Sequence, residues 1–424
     1  MTEAIVQELA ELVDKAAEVV TGVARVTPLQ FNERLSTATG CRVWVKREDL
    51  QPVRSYKLRG AFNFMSHLTE DQRLKGVVCA SAGNHGQGVA WSCTRLGIHG
   101  TVCVPSTTPR QKRERIQFFG KGNVDLVVSG DSYDKAREIS LEFASRTGAA
   151  SVPAFDAPLT AAGQGTVARE IVDELGHTPD VLVVPVGGAG LLSGCGSWLR
   201  AHHPQTRIVA VEPAGATSLA SALAEGHPVK LDTMDTFVDG AAVARIGDFT
   251  CSIAAALKPE LMSVAEGQVC QEMLDMYQVD GIIAEPAGAL AAAALSTRPG
   301  DSSLRVDPDT DVVVVLSGGN NDVSRYPEVI ERAAVHEGRR RYFLVNFPQE
   351  PGALRRFLND VLGPDDDIIV FEYTKHSDRE TGPALVGIEL GEPASYPALW
   401  ARMQASPLDV EVLEPDTAIY RMLV

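Results

Sequence analysis

The sequence predicts an α/β protein with a largely parallel sheet covered on both faces, followed by a small α+β module. Three observations carry this. Between about residues 75 and 320, short β-branched runs alternate with helix-length amphipathic segments, the grammar of βαβ units. A charged run, His336-Glu337-Gly338-Arg339-Arg340-Arg341, then interrupts the pattern and puts a domain break near residue 338, dividing the chain into 1–337 and 338–424. Beyond it the elements run strand, helix, strand, strand, helix, strand, a ferredoxin-like order.

At the N-terminus, apolar residues recur at positions 5, 9, 12, 13, 16, 19 and 20, which predicts an amphipathic helix and not a basic secretory segment. Strands are expected at 77–80, 101–104, 125–128, 181–184, 208–211 and 312–316, with helices at 132–146 and 166–175. The Pro-, Asp- and Ser-rich stretch 297–310 reads as the loop before the last of these strands. In the tail, strands are expected at 342–347, 368–373, 384–389 and 410–413, and helices at 352–361 and 396–405.

A chain of 424 residues with 45% apolar and 22% charged residues is an ordinary globular composition of two to four domains. A net charge of −16 argues against nucleic acid as partner, because phosphate backbones are held by clustered Lys and Arg. The seven cysteines, at 41, 79, 93, 103, 195, 251 and 270, form no Cys-x-x-Cys pair. They read as reduced, buried thiols, which favours the cytoplasm and disfavours structural zinc. One uncharged run, 181–199, reaches membrane length, but Pro185 and its glycines suit a buried strand, loop and helix, so no membrane span is expected.

The chemistry centres on Ser55-Tyr56-Lys57-Leu58-Arg59-Gly60-Ala61, which follows Lys46-Arg47-Glu48-Asp49-Leu50. A surface lysine stays protonated to about pH 10.4, whereas one desolvated beside other cations falls towards about 7–8 and becomes a nucleophile for a carbonyl cofactor. Arg54 and Arg59 are the neighbours expected to do this. An ordinary helix lysine is the competing reading of this stretch alone. Four further motifs in order weigh against it: Ser81-Ala82-Gly83-Asn84-His85-Gly86, Gly187-Gly188-Ala189-Gly190-Leu191, Glu285-Pro286-Ala287-Gly288 and Ser317-Gly318-Gly319-Asn320-Asn321.

The Gly187–Leu191 stretch follows an expected strand and opens a helix, where free N–H groups and the helix dipole favour a phosphate. A tight turn with close packing is the alternative. No Gly-Lys-Ser/Thr follows, and Ser193 stands where a dinucleotide fingerprint needs a third glycine. Gly163-x-Gly165-x-x-Ala168 does satisfy that fingerprint, but it lacks a preceding strand and an acidic ribose ligand and is expected to shape the site wall. His85 is expected to be a packed or capping residue. Glu285 is left open between an acid for a leaving group, a carboxylate bridging two lobes, and a charge at a helix N-terminus.

Taken together, from Val26 to Val424, these motifs resemble the fold-type II pyridoxal-phosphate enzymes, and within them the threonine ammonia-lyases (threonine dehydratases). The resemblance implies the two-lobed, tryptophan synthase β-like α/β architecture with pyridoxal 5'-phosphate between the lobes. It implies Lys57 as the residue that holds the cofactor and moves the α-proton, Asn84 on the cofactor hydroxyl, Gly187, Gly188, Ala189, Gly190 and Leu191 on the phosphate, and Ser317 on the ring nitrogen. A serine there leaves the ring largely neutral and favours elimination over transamination. Tyr342 to Pro348 and Pro351-Gly352-Ala353-Leu354 look like a single ACT-type regulatory segment.

The implied activity is deamination of L-threonine to 2-oxobutanoate, with isoleucine, and valine as a second candidate, acting as effector on a homo-oligomer (dimer or tetramer). The alternatives are a serine dehydratase or racemase of the same fold, a threonine synthase taking a phosphorylated substrate, or an inactive amino-acid sensor. Related serine racemases hold a divalent cation after Val-Glu-Pro; here Glu212 is matched but Ser218 replaces the later acid, so no metal is expected.

Overall fold

The computed structural model describes residues 2–373, 380–414 and 417, in two compact units, Met1–Asp322 and Val323–Val424. The first unit contains β1 (Leu29–Phe31), β2 (Arg42–Arg47), β3 (Val77–Ala80), β4 (Gly100–Val104), β5 (Val124–Val128), β6 (Ala150–Ser151), β7 (Val181–Pro185), β8 (Arg207–Pro213), β9 (Glu260–Val264) and β10 (Asp311–Leu316). Its larger sheet has the order β1-β2-β10-β7-β8-β9 and is parallel except at the β1–β2 edge. The smaller sheet, β5-β4-β3-β6, is parallel throughout. Each sheet is the centre of one lobe.

The six expected strands are all present. Those of the larger sheet are Val/Ile/Leu runs buried on both faces, as strands sandwiched between helices must be. β9 was not foreseen because it is an edge strand with mostly exposed side chains and no apolar run. The N-terminal helix Thr2–Val20 buries Val6, Leu9, Val13 and Ala16 in the same core as the helices Pro158–Leu175 and Gly190–His202, and Asp14 accepts a hydrogen bond from Trp198 Nε1 at 2.9 Å.

One helix differs from expectation. It starts at Pro158, not at residue 166, and so takes Gly163 and Gly165 into its interior. A Cβ on Gly163 would lie 2.6 Å from Arg59 O, one on Gly165 2.7 Å from the carbonyl carbon of Gly194, and one on Gly194 2.1 Å from Ala161 O. These glycines therefore let three helix backbones touch; they are a packing surface rather than a wall of the site. Glycine inside a helix costs about 0.5–1 kcal/mol relative to alanine, offset here by the close approach.

In the second unit, β11 (Arg340–Pro348), β12 (Asp367–Tyr373), β13 (Thr381–Glu389) and β14 (Asp409–Val412) form an antiparallel sheet of order β12-β13-β11-β14. With the helices Ala353–Asp360 and Tyr396–Ala405 this is the ferredoxin-like pattern. The core joins Phe343, Val345 and Phe347 to Phe357, Leu399 and Met403. The helix Tyr326–His336 belongs to this unit: Glu331 accepts hydrogen bonds from Arg340 and, at 2.6 Å, from Tyr342 OH.

Gly194→Val tests the helix crossing. The added side chain meets backbone, so stability should fall by about 1–3 kcal/mol, read as a lower denaturant midpoint. A midpoint equal to the parent's would show that the helices have room to part.

Candidate active site

Parallel α/β sheets bind ligands at the carboxyl ends of their strands, and the motifs collect there. β2, β10 and β7 are consecutive neighbours, and their ends lead into the loop before Lys57, into Ser317–Asn321 and into Gly187–Leu191. β3 of the other lobe leads into Ser81–Gly86. A short antiparallel stitch joins two of these loops: Ser55 bridges Gly318, Tyr56 N–H donates to Ser317 O at 3.2 Å, and Gly319 N–H donates to Arg54 O at 2.9 Å.

Lys57 opens the helix Lys57–Ser66. Its Nζ donates to Ala154 O at 3.1 Å and lies 5.2 Å from the Tyr56 ring centroid. Burial lowers its pKa to about 8, with Glu285 opposing. The low value has a different origin from the one expected, because Arg59 points away and is consumed by other acids. Its guanidinium donates to Glu48 at 2.8 Å through both Nε and Nη2, and to Glu170 at 2.5 and 2.8 Å.

Asn84 begins the helix Asn84–Leu96. Its Nδ2 donates to Glu285 Oε1 at 2.5 Å and its Oδ1 accepts from Asn320 Nδ2 at 2.7 Å. Glu285 stands at the N-cap of Pro286–Ala293 without capping it; its carboxylate spans the lobes, which favours the bridging reading. The carboxylate also requires glycine at 318, where a Cβ would lie 2.3 Å from Oε1. Burial first, then Asp239, pushes the Glu285 carboxyl up to about 7 against the opposing hydrogen bond from Asn84. His85 is buried with Nε2 2.9 Å from Val152 O; burial and then Lys57 lower its pKa to about 4, so it is a neutral packed ring.

The glycine turn leaves β7 with Ala189 at φ +61, in the left-handed region, and the helix Gly190–His202 follows. A Cβ on Gly188 would lie 2.3 Å from the Phe155 ring and one on Gly187 2.9 Å from Ala241 Cα. Among the described residues, the N–H groups from Gly187 to Leu191 find no acceptor. Ser317 Oγ, at the end of β10, donates to Ala287 O at 3.1 Å. A lysine lowered towards neutrality, an anion cradle of free N–H groups on a glycine turn, an amide and a buried hydroxyl fit pyridoxal 5'-phosphate.

The segment Val152-Pro153-Ala154-Phe155-Asp156 gave no signal in the sequence, yet it ties these parts together. Val152 O meets His85, Ala154 O meets Lys57, Phe155 covers Gly188, and Asp156 accepts from the N–H groups of Asp248 and Thr250 at 3.2 and 3.1 Å. Two of these four residues act through backbone carbonyls, which leave no side-chain signature, and the other two through the Phe155 ring and the Asp156 carboxylate.

Glu212 is occupied as a helix cap, accepting from Leu219 and Ala220 N–H at 2.7 and 2.9 Å. Among the described residues no group of three His, Cys, Asp or Glu is arranged for a metal ion, and no helix is long and apolar enough to cross a membrane. A cavity of about 350 Å³ lined by Ala214, Thr217, Thr233 and Asp235 contains none of the motif residues, so the chemistry is assigned to the strand ends instead.

Comparison with known proteins agrees. Residues 20–318 match the family described as pyridoxal-phosphate dependent enzyme, and residues 331–423 match the C-terminal regulatory domain of threonine dehydratase. The chain belongs to the pyridoxal-phosphate dependent enzymes, and its cofactor is pyridoxal 5'-phosphate. It is 53% identical over 414 residues to L-threonine dehydratase biosynthetic IlvA of Mycobacterium tuberculosis (strain ATCC 25618 / H37Rv), covering 97% of this chain and 95% of the relative. It is 47% identical to the Bacillus subtilis (strain 168) protein of the same name, covering 97% and 96%. Within the family it therefore sits among the biosynthetic threonine dehydratases. The solved structure of the processed form of threonine deaminase isoform 2 from Solanum lycopersicum is 37% identical with a TM-score of 0.72, over 77% of this chain and 93% of that one. Maize serine racemase is 28% identical with a TM-score of 0.68, over 77% and 98%.

The Glu285 carboxyl yields a pH test. Folding raises its pKa from 4.5 to about 7, so the folded state holds this proton more tightly. Its contribution to stability is fully present below about pH 4.5 and is lost as pH rises through 7. In protein freed of cofactor, Glu285→Gln should remove up to about 3 kcal/mol of that fall, measured by denaturation at pH 5 and pH 7.5. An unchanged difference between the two pH values would place the proton elsewhere.

Proposed function

We propose that the chain deaminates L-threonine to 2-oxobutanoate and ammonia, the first committed step of isoleucine biosynthesis, and that its C-terminal part senses an amino-acid effector. The observation that carries this reading is the likeness to biosynthetic threonine dehydratases over nearly the whole length of both proteins. Lys57, Asn84, Ser317 and the glycine turn, brought together at the strand ends, support it.

Each residue has a role in this reading. Lys57 Nζ holds the cofactor and, with a pKa near 8, takes the proton from the substrate's α-carbon near neutral pH as the β-hydroxyl departs with a proton as water. When bound, pyridoxal 5'-phosphate supplies the electron sink for the charge left at that carbon. The N–H groups of Gly187 to Leu191 hold its phosphate, Asn84 meets its ring hydroxyl and Ser317 meets its ring nitrogen. Ala154 O gives the free lysine ammonium a fixed resting acceptor. The serine hydroxyl, unlike a carboxylate, does not keep the ring nitrogen protonated, which favours loss of the β-hydroxyl over transamination.

In this reading the catalytic part ends before the helix Tyr326–His336, which packs within the second unit, and the second unit is the regulatory part, with isoleucine as inhibitor and valine as a second candidate effector. The protein works as a homo-oligomer, dimer or tetramer, in the cytoplasm; its seven buried, unpaired cysteines suit a reducing compartment.

Lys57→Ala should abolish both the visible absorbance of protein-bound cofactor and threonine turnover, since one amine serves both. Turnover near the parent's would sink the assignment. For the sensor, a chain ending at Asp322 should bind cofactor and process threonine but no longer respond to isoleucine. Coupling of this kind is typically worth about 5–150-fold in affinity. Inhibition of the shortened, folded and active chain at the original isoleucine concentration would move the effector site into the first unit.

A further inference from the structure

A guanidinium carries five N–H donors and a fixed charge, so where water is partly excluded it is normally paired. The partly or fully buried arginines of the first unit mostly obey this: Arg34 pairs with Glu272 and Asp280, Arg47 with Asp49, and Arg59 with Glu48 and Glu170. Arg54 and Arg115 are also partly buried. Among the described residues neither Arg54 nor Arg115 makes an ion pair; Arg115 Nε donates to Gln87 Oε1 at 3.2 Å and its guanidinium lies 5.7 Å from the Phe119 ring centroid.

Both arginines lie against one polar seam. Arg54 Nη2 is 3.2 Å from the position of a Cβ on Gly319, the residue before Asn320. Gln87, which holds Arg115, is one helical turn beyond Asn84. Asn320 Nδ2 donates to Asn84 Oδ1 at 2.7 Å, so the two arginine-bearing segments flank a single hydrogen-bonded pair. Arg54 is also fixed in place, with φ +57 in the left-handed region, its N–H donating to Gln51 O at 2.7 Å and its carbonyl accepting from Gly319.

No neighbouring carboxylate fills the role of counter-ion. Glu285 is engaged by Asn84 and by the Asn320 N–H, and burial keeps it partly protonated near neutral pH. Asp239 is taken by Lys112 at 2.6 Å. Burial and then Arg54 depress the Arg115 pKa against the opposing charge of Glu285, so that carboxylate offsets only part of what burial and the second cation cost.

We propose that Arg54 and Arg115 form a subsite for a small oxyanion, a carboxylate or phosphate group that supplies the missing counter-charge beside the Asn84–Asn320 pair. Two planar forks suit such a group, since each can donate two parallel hydrogen bonds. The anion has two sources: the carboxylate of the amino-acid substrate, which rests on the threonine reading above, or free phosphate, which does not.

The test uses the full-length, cofactor-loaded protein, in which the glycine turn is already filled. Calorimetric titration with inorganic phosphate at constant ionic strength should show one saturable site per chain. Arg54→Asn, a residue tolerated at positive φ, and Arg115→Gln should each weaken it by about tenfold or more. Arg110→Gln, whose exposed side chain pairs with Glu114, should not. Should Arg115→Gln fail to fold, Arg115→Lys keeps the charge but loses the fork, and should weaken binding less. If the substrate carboxylate is the source, phosphate competes with threonine and the variants raise KM more than they lower kcat. If free phosphate is the source, threonine KM is unchanged and phosphate alters the rate without competing. Absence of saturable phosphate binding in the parent, or equal binding in parent and both variants, would overturn the subsite.

Discussion

Arg59 has no access to water, and the region around Lys57 is arranged to satisfy it. Its side chain is fully buried against Glu48 and Glu170, with Thr166 Oγ1 at 3.0 Å and Arg25 O at 3.1 Å completing the donors. Lys46, equally buried, shares Glu170 at 2.9 Å and also meets Glu174 and Thr27 O. A buried ion network of this kind adds little net stability, because desolvation consumes most of the Coulombic gain, but removing one member costs about 3–5 kcal/mol. What it supplies is geometry. Glu48 follows β2, Glu170 lies in Pro158–Leu175 and Arg59 lies in Lys57–Ser66, so three segments are held in one register two residues from Lys57.

The network closes only because the helices approach so nearly. A Cβ on Gly60 would lie 2.6 Å from Thr160 O, and one on Gly163 2.7 Å from Gly60 Cα. The glycines and the ion network are therefore one device: small residues bring the helices together, and the fixed charges between them set the helix that carries Lys57. The Ser55–Gly318 stitch extends that register to Ser317, and Ala154 extends it to the amine itself.

Much of this was legible in the sequence, for physical reasons that differ from residue to residue. The strands of the parallel core announce themselves because Val312 to Leu316 or Val181 to Val184 have no polar face to present. The motifs that the structure gathers at the strand ends stand out in the sequence because the expected chemistry restricts residue type: an amine, an amide and a hydroxyl in a fixed order. The start of Pro158–Leu175 was not, since Thr160-Ala161-Ala162-Gly163-Gln164-Gly165 contains two glycines that weaken local helix preference, and tertiary packing overrides it. The partners of Arg59 and Glu285 were not either. Glu285 meets Asn84 across 201 residues of chain, and the direction of a side chain on its helix or loop decides such a pairing.

The seam around Asn84 also explains why the site combines two buried groups that would otherwise be destabilising. Burial pushes the Glu285 carboxyl up to about 7 and the Lys57 ammonium down to about 8, so that at neutral pH the carboxyl is partly protonated while the amine stays mostly charged. In water these groups lie about 6 units apart; here the interval has almost closed. The same burial that lowers the lysine thus leaves the carboxyl a partly protonated hydrogen-bond partner for Asn84, with Arg54 and Arg115 as the fixed charges beside the seam.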